Sequence, residues 1–218
     1  MEWAGHLARE QERYRDGESR LPEIDDPDAR QKQLTRMGNA AGGAGLALLM
    51  QRRDWEATEW FSLAAERYRE SFADAPPGSW GRPIGAMKSL LMGGDWDGAQ
   101  AAAEWALAGG AAEAESPIGK YAACLALLVL ERDREARVLA DDLRTHEGFP
   151  TDVADSLAMI AAQDVAGYVL AVESVLESFE TREEHLEDIP VADTVVVLQT
   201  LAAQRNMAAD LESALLPG

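Results

Sequence analysis

The 218-residue chain is poor in the side chains that most often do metal, redox and nucleophilic chemistry: it has one cysteine, three histidines and three lysines. A single thiol, Cys124, excludes an intramolecular disulfide framework and a thiolate zinc cluster. Its setting, Ala122-Ala123-Cys124-Leu125, is apolar and favours an inert buried thiol. His6, His146 and His185 lie too far apart in sequence to form a local metal pair such as HExxH. Positive charge is scarce as well. Twenty Lys+Arg stand against 39 Asp+Glu, a formal net charge of −19, so free nucleic acid is not expected as a ligand. Long apolar runs are missing: the longest, Tyr121–Leu130, would span about 15 Å as a helix, half of a bilayer core of about 30 Å. Met1–His6 shows no cationic stretch leading into an apolar one, so no signal peptide is visible and a soluble, cytoplasmic protein is expected.

What is present is a globular composition, 47% hydrophobic, which argues against disorder for most of the length. Two readings of the acid remain open. Arginine over lysine, abundant alanine and the acidic excess fit a protein kept hydrated in strong brine, a halophilic adaptation; the same charge could instead meet a basic protein.

Helical periodicity dominates. In Asp54–Ala75 the residues Ala57, Trp60, Phe61, Ala64, Ala65, Tyr68 and Phe72 recur at three- and four-residue steps. Asp97–Leu107 and Arg134–Leu143 repeat the habit, and alternating strand patterns are absent. A recurrent punctuation interrupts these segments: Arg53-Asp54, Gly94-Asp95, Arg132-Asp133, Gln163-Asp164 and Arg205-Asn206, each after an apolar stretch. Small residues follow three positions after four of them, at Ala57, Gly98, Ala136 and Gly167, and each Asp or Asn is expected to cap the next helix. Ser116-Pro117 reads as a helix start. Together these features predict an all-α chain: an irregular stack of antiparallel helical hairpins, a tetratricopeptide-like α-solenoid of about 10–11 helices. Residues 1–26 are expected to form a capping helix, Trp3–Asp16, and a loop, with one hairpin-repeat domain over 27–218. The Gly-rich patch Gly38–Gly45 lacks the Lys-Ser/Thr of a phosphate loop; close helix contact or a kink explains it better.

Neither catalytic residues, a cofactor site nor a metal site is predicted. Neighbouring carboxylates such as Asp141/Asp142 diverge by about 100° on a helix and do not converge on one atom. Tryptophan is more informative. Trp55 and Trp96 sit beside the turn acid at the first turn of a second hairpin helix, where they could be exposed at one edge of the stack. With Trp80, Asp95, Asp97 and His185 they make up the candidate partner-binding set, aromatics ringed by charge.

Two resemblances add to this reading. Gly93–Leu107 (GGDWDGAQAAAEWAL) looks like the second helix of a tetratricopeptide-type unit. The carboxy-terminal segments Leu170–Phe179, Arg182–His185, Ala192-Asp193, Leu198–Ala202 and Leu211–Pro217 resemble the immunity protein 49 family of bacterial polymorphic-toxin systems. Ser213, Leu216 and Pro217 match that family's Ser-x-x-Leu-Pro-like tail, and Glu173 through His185 resembles the charged helix before it. The resemblance implies an all-helical protein that neutralises a cognate toxin by binding it. Non-enzymatic protein binding is therefore expected, with a basic toxin as partner. The alternatives are a tetratricopeptide-like scaffold with a peptide groove, and a helical enzyme with a carboxylate/His pocket.

Overall fold

A computed structural model of the chain describes residues 3–182 and 189–218. It is all-helical, with ten α-helices, 73% helix and no strand among the described residues. None of these helices is long and apolar enough to cross a membrane. The contacts divide the described chain into two compact units, residues 3–96 with 189–191 and 217–218, and residues 97–182 with 192–216.

One turn geometry punctuates both units. At Arg52, Gly94, Glu131, Gln163 and Asn206 the backbone enters the left-handed region, with φ between 56° and 73°. At each, the following amide reaches back five residues to close the preceding helix: Arg53 to Leu48, Asp95 to Leu90, Arg132 to Leu127, Asp164 to Met159 and Met207 to Ala202, all at 2.8–3.1 Å. This is the Schellman arrangement, which satisfies helix-end carbonyls that would otherwise be orphaned. Only one of the five positions is glycine, although a Cβ is disfavoured there.

The capping chemistry differs from the sequence expectation. Asp164 does cap, accepting from the Gly167 amide at 3.0 Å. Asp54 and Asp133 instead lie inside their helices, whose N-caps are Arg53 and Arg132 without side-chain caps. There the first turn is held by bidentate pairs, Arg53–Glu56 and Arg132–Glu135, at 2.5–2.8 Å. Ser116 caps as expected, accepting from Gly119.

The first unit contains α1 (Trp3–Arg20), α2 (Pro27–Leu49), α3 (Asp54–Phe72) and α4 (Gly81–Met92), each packed on the next. The expected end of α1 at Asp16 is overrun by a turn. Arg20 pairs with Asp16 at 2.5 Å, and Gly17 acts as a notch rather than a breaker, because a Cβ there would lie 2.6 Å from Met37 Cγ. The Gly-rich patch serves the same purpose inside α2. A Cβ on Gly45 would lie 2.7 Å from the Phe61 ring, and one on Gly38 would lie 2.9 Å from that of Tyr68. Gly85 of α4 meets the other side of Tyr68 at 2.7 Å, so this ring is clasped between glycines and its hydroxyl donates to Asn39. Gly43 makes room for Ile189 and for Glu10, a fully buried carboxylate paired at 2.7 Å with Arg9 and with Arg13.

The second unit contains α5 (Trp96–Ala108, from Asp97), α6 (Pro117–Val129), α7 (Asp133–Leu143), α8 (Thr151–Ala162), α9 (Val165–Glu180) and α10 (Asp193–Ala203). Helix α6 is its centre: Tyr121 through Val129 are all buried, as a helix apolar on every side requires. Ala136, three residues beyond Asp133, is fully buried, and its carbonyl accepts from Cys124 Sγ at 3.4 Å. Gly167 is the equivalent notch in α9, opposite Met159. Three turns converge on Arg205. Its guanidinium bonds both oxygens of Asp133 and, at 2.9 Å, the Leu128 carbonyl, while Gln163 donates to the same Asp133.

No helix follows the fifth turn. Beyond Asn206 the chain is irregular, against the helix that Asn206 was expected to cap. The Gln199 side chain satisfies both the amide and the carbonyl of Ala209, at 3.0 and 2.6 Å, which replaces a helical ladder. Ser213 then donates to Glu180 and accepts from Leu215, whose carbonyl receives the Ala192 amide.

Candidate partner-binding site

Trp55 stands on the first turn of α3 with 76% of its surface exposed, the largest exposure of any large apolar side chain described. The Schellman turn at Arg52 and the Arg53–Glu56 pair fix that first turn on either side of it. The Arg53 guanidinium holds the Glu56 carboxyl below its ordinary range. One turn further along α3, the Thr58 hydroxyl donates to the Gly93 carbonyl at 2.8 Å. That bond brings the start of α3 to the turn that precedes α5, so Trp55 shares an edge of the first unit with Gly93, Gly94 and Asp95. Trp96 follows in the chain and is half-buried; Asp97, the first residue of the second unit, is exposed. Carboxylates outnumber cations in these turn segments, with Asp54, Glu56, Glu59 and Asp95 against Arg52 and Arg53.

One member of the expected set is not on this edge. Trp80 is buried as the N-cap residue of α4, its ring tilted against Phe72 with centroids 6.0 Å apart. Its place in a recognition surface is corrected: the ring is buried against Phe72 instead of facing solvent. His185 lies outside the described residues.

A cluster of three titratable side chains lies elsewhere and was not legible in the sequence. Lys120 Nζ on α6 lies 2.5 Å from Asp142 Oδ2 and 3.1 Å from His146 Nε2, and His146 Nε2 lies 3.3 Å from the same carboxylate oxygen. Lys120 first and His146 second hold Asp142 below the usual carboxylate range. Its neighbour Asp141 points the other way, to Arg137 at 2.7 Å and Arg144 at 3.2 Å, as the helical angle between adjacent residues demands. The three groups are spent on one another, which ties the first turn of α6 to the end of α7. Separations of 22 and 26 residues hid the cluster. Cys124 is buried and its thiol is pushed up to about 12, so no thiolate nucleophile is offered near neutral pH.

No family model matches the chain, and neither a curated protein nor a solved structure matches it significantly.

Proposed function

We propose that the protein acts by binding another protein, without catalysis, and that the Trp55 edge is its contact surface. The observation that carries this reading is the exposure of Trp55 at 76% on a turn whose backbone is fixed on both sides. A large aromatic held in water on a rigid element loses little conformational freedom when covered, and tryptophan is enriched among residues that dominate binding energy. The sharpest form of the proposal is neutralisation of a cognate toxin. The resemblance of Ser213, Leu216 and Pro217 to the tail of the immunity protein 49 family supports it, as does a charge of −19, which suits a basic partner and speeds encounter with one.

The immunity reading requires a toxin gene beside this one, and the test is co-expression with it, scored by growth and by complex formation in calorimetry. Protection by the wild-type chain is expected, with binding weakened by about 2 kcal/mol or more in Trp55→Ala. Failure to protect sinks the immunity reading. Undiminished binding by the Trp55→Ala variant, folded by circular dichroism, removes the edge from the interface.

A further inference from the structure

Residues 207–213 cross the second unit as an extended segment, with no helical turn of their own. Burial alternates along them with the two-residue period of an extended chain. Met207, Ala209, Leu211, Ser213 and Leu215 are covered or partly covered, whereas Ala208, Asp210, Glu212 and Ala214 are exposed. Bonds from the helices land on the inward set. The Ala202 carbonyl accepts the Met207 amide at 2.9 Å, and Gln199 takes both backbone groups of Ala209. Glu180 accepts from the Ser213 hydroxyl at 2.7 Å, and the Ala192 amide donates to the Leu215 carbonyl at 2.9 Å. Met207 is the one buried side chain of residues 207–216, so side-chain packing holds this tail lightly.

Gln199 reads backbone, not side chain. Its Nε2 donates to the Ala209 carbonyl and its Oε1 accepts the Ala209 amide, so one side-chain amide reproduces a rung of a strand ladder. The clamp is fixed from behind: the buried Tyr168 hydroxyl donates to the same Oε1 at 2.8 Å, which sets the end of the amide that donates to the tail. Main-chain bonds of this kind accept any extended segment, while the alternate inward side chains select among segments. Asp210 and Glu212, the charged outward residues of the tail, add like charge to a chain of net −19. A segment with cations at those two places meets the same clamp with an electrostatic advantage that the tail lacks. We propose that this face of the second unit is a peptide-binding site, occupied in cis by residues 207–215, whose ligand in trans is an extended basic segment. Its inward positions carry Met or Leu, a small residue, Leu and Ser in turn, with Lys or Arg between them. The site uses no residue of the Trp55 edge.

The probe is a fluorescein-labelled peptide, Met-Ala-Ala-Lys-Leu-Lys-Ser-Ala-Leu, which copies residues 207–215 with Lys in place of Asp210 and Glu212. It is titrated with the full chain and read by fluorescence anisotropy. The tethered tail competes at an effective concentration of roughly millimolar, so binding to the wild type is expected to be weak. Ala209→Pro removes the amide that Gln199 holds in the tail and should tighten the peptide about tenfold or more. Adding Gln199→Ala to that chain should abolish the gain, and N-methylation of the peptide's second alanine, which keeps its charge, should weaken it about fivefold or more. Leu211→Ser, which loosens the tail without touching the clamp, should act in the same direction as Ala209→Pro and serves if that variant does not fold by circular dichroism. Trp55→Ala should change nothing, which keeps a failure here distinct from a failure at the edge. No saturable binding to the folded tail variants, or binding indifferent to N-methylation and to Gln199→Ala, would each overturn the proposal.

Discussion

The two units use the same turn and pack in different ways. In the first, helices approach through glycine notches that admit whole rings: Phe61 against Gly45, and Tyr68 between Gly38 and Gly85. In the second, alanine and leucine faces close around α6, and a single ion-paired arginine draws three turns together. A Schellman turn specifies where a helix stops and how the chain leaves it, and it leaves open what the two helices press together. That separation explains how one hairpin grammar produces both a unit whose rings seat on glycines, with an exposed edge, and a unit packed around an apolar helix and held by a buried charge.

The largest effect is expected at Arg205. Its side chain is 6% exposed and that of Asp133 is 19% exposed, so Arg205→Ala leaves a largely buried carboxylate without its counterion. A loss of about 3–5 kcal/mol is expected in urea denaturation, with faster hydrogen exchange over residues 127–137. Removing Asp133 as well should recover part of that loss. A near-neutral Arg205→Ala would break the contrast from the side of the second unit.

In the first unit the corresponding change is Gly45→Ala, which sets a methyl group 2.7 Å from the Phe61 ring. Overpacking should cost about 1–3 kcal/mol, and Phe61→Leu in the same chain should relieve some of it. Alanine usually favours a helix over glycine, so a stabilising Gly45→Ala would show that the notch is not needed.

Smaller effects belong to the turn that the units share. Gly94→Ala, at φ 73°, should cost about 1 kcal/mol by thermal denaturation, whereas Gln163→Gly, at φ 56°, should be neutral or gain less than that. Opposite signs at the two sites would sharpen the claim that one backbone geometry is imposed on both units.

The smallest expected effect is that of pH on the Lys120–Asp142–His146 cluster. The folded state favours ionised Asp142, so its contribution is complete above the ordinary carboxylate value of about 4 and is lost as pH falls through the lowered folded value. The side chain is 44% exposed, so solvent screens most of the gain. Asp142→Asn should flatten the acid limb of the stability curve slightly. An unchanged limb would make the cluster energetically idle.

Much of the fold was legible because its signals are local. The five turns were visible as apolar stretches ended by Arg-Asp, Gly-Asp, Gln-Asp or Arg-Asn, and α6 as a run apolar on every side. Errors arose where a remote group decided the outcome. Gly17 resembled a helix stop and is a notch for Met37; Asp133 resembled a cap and is the counterion of Arg205. Asn206 resembled the opening of another helix, yet Gln199 takes up the backbone groups of Ala209 instead. The candidate site divided along the same line. Trp55 was legible as an exposed turn aromatic, while the burial of Trp80 and the docking of the tail on Gln199 depend on neighbours brought in from other helices.

By itself, then, the sequence determined helix content, the places where the chain turns, and the excess of acid, because helical period, left-handed turns and charge are properties of short stretches or of composition. Tertiary structure alone decided which glycines admit rings, which carboxylate is buried against Arg205, and which side chains hold the tail. Those outcomes require side chains far apart in the chain to meet, and burial, more than residue type, sets what each of them can do.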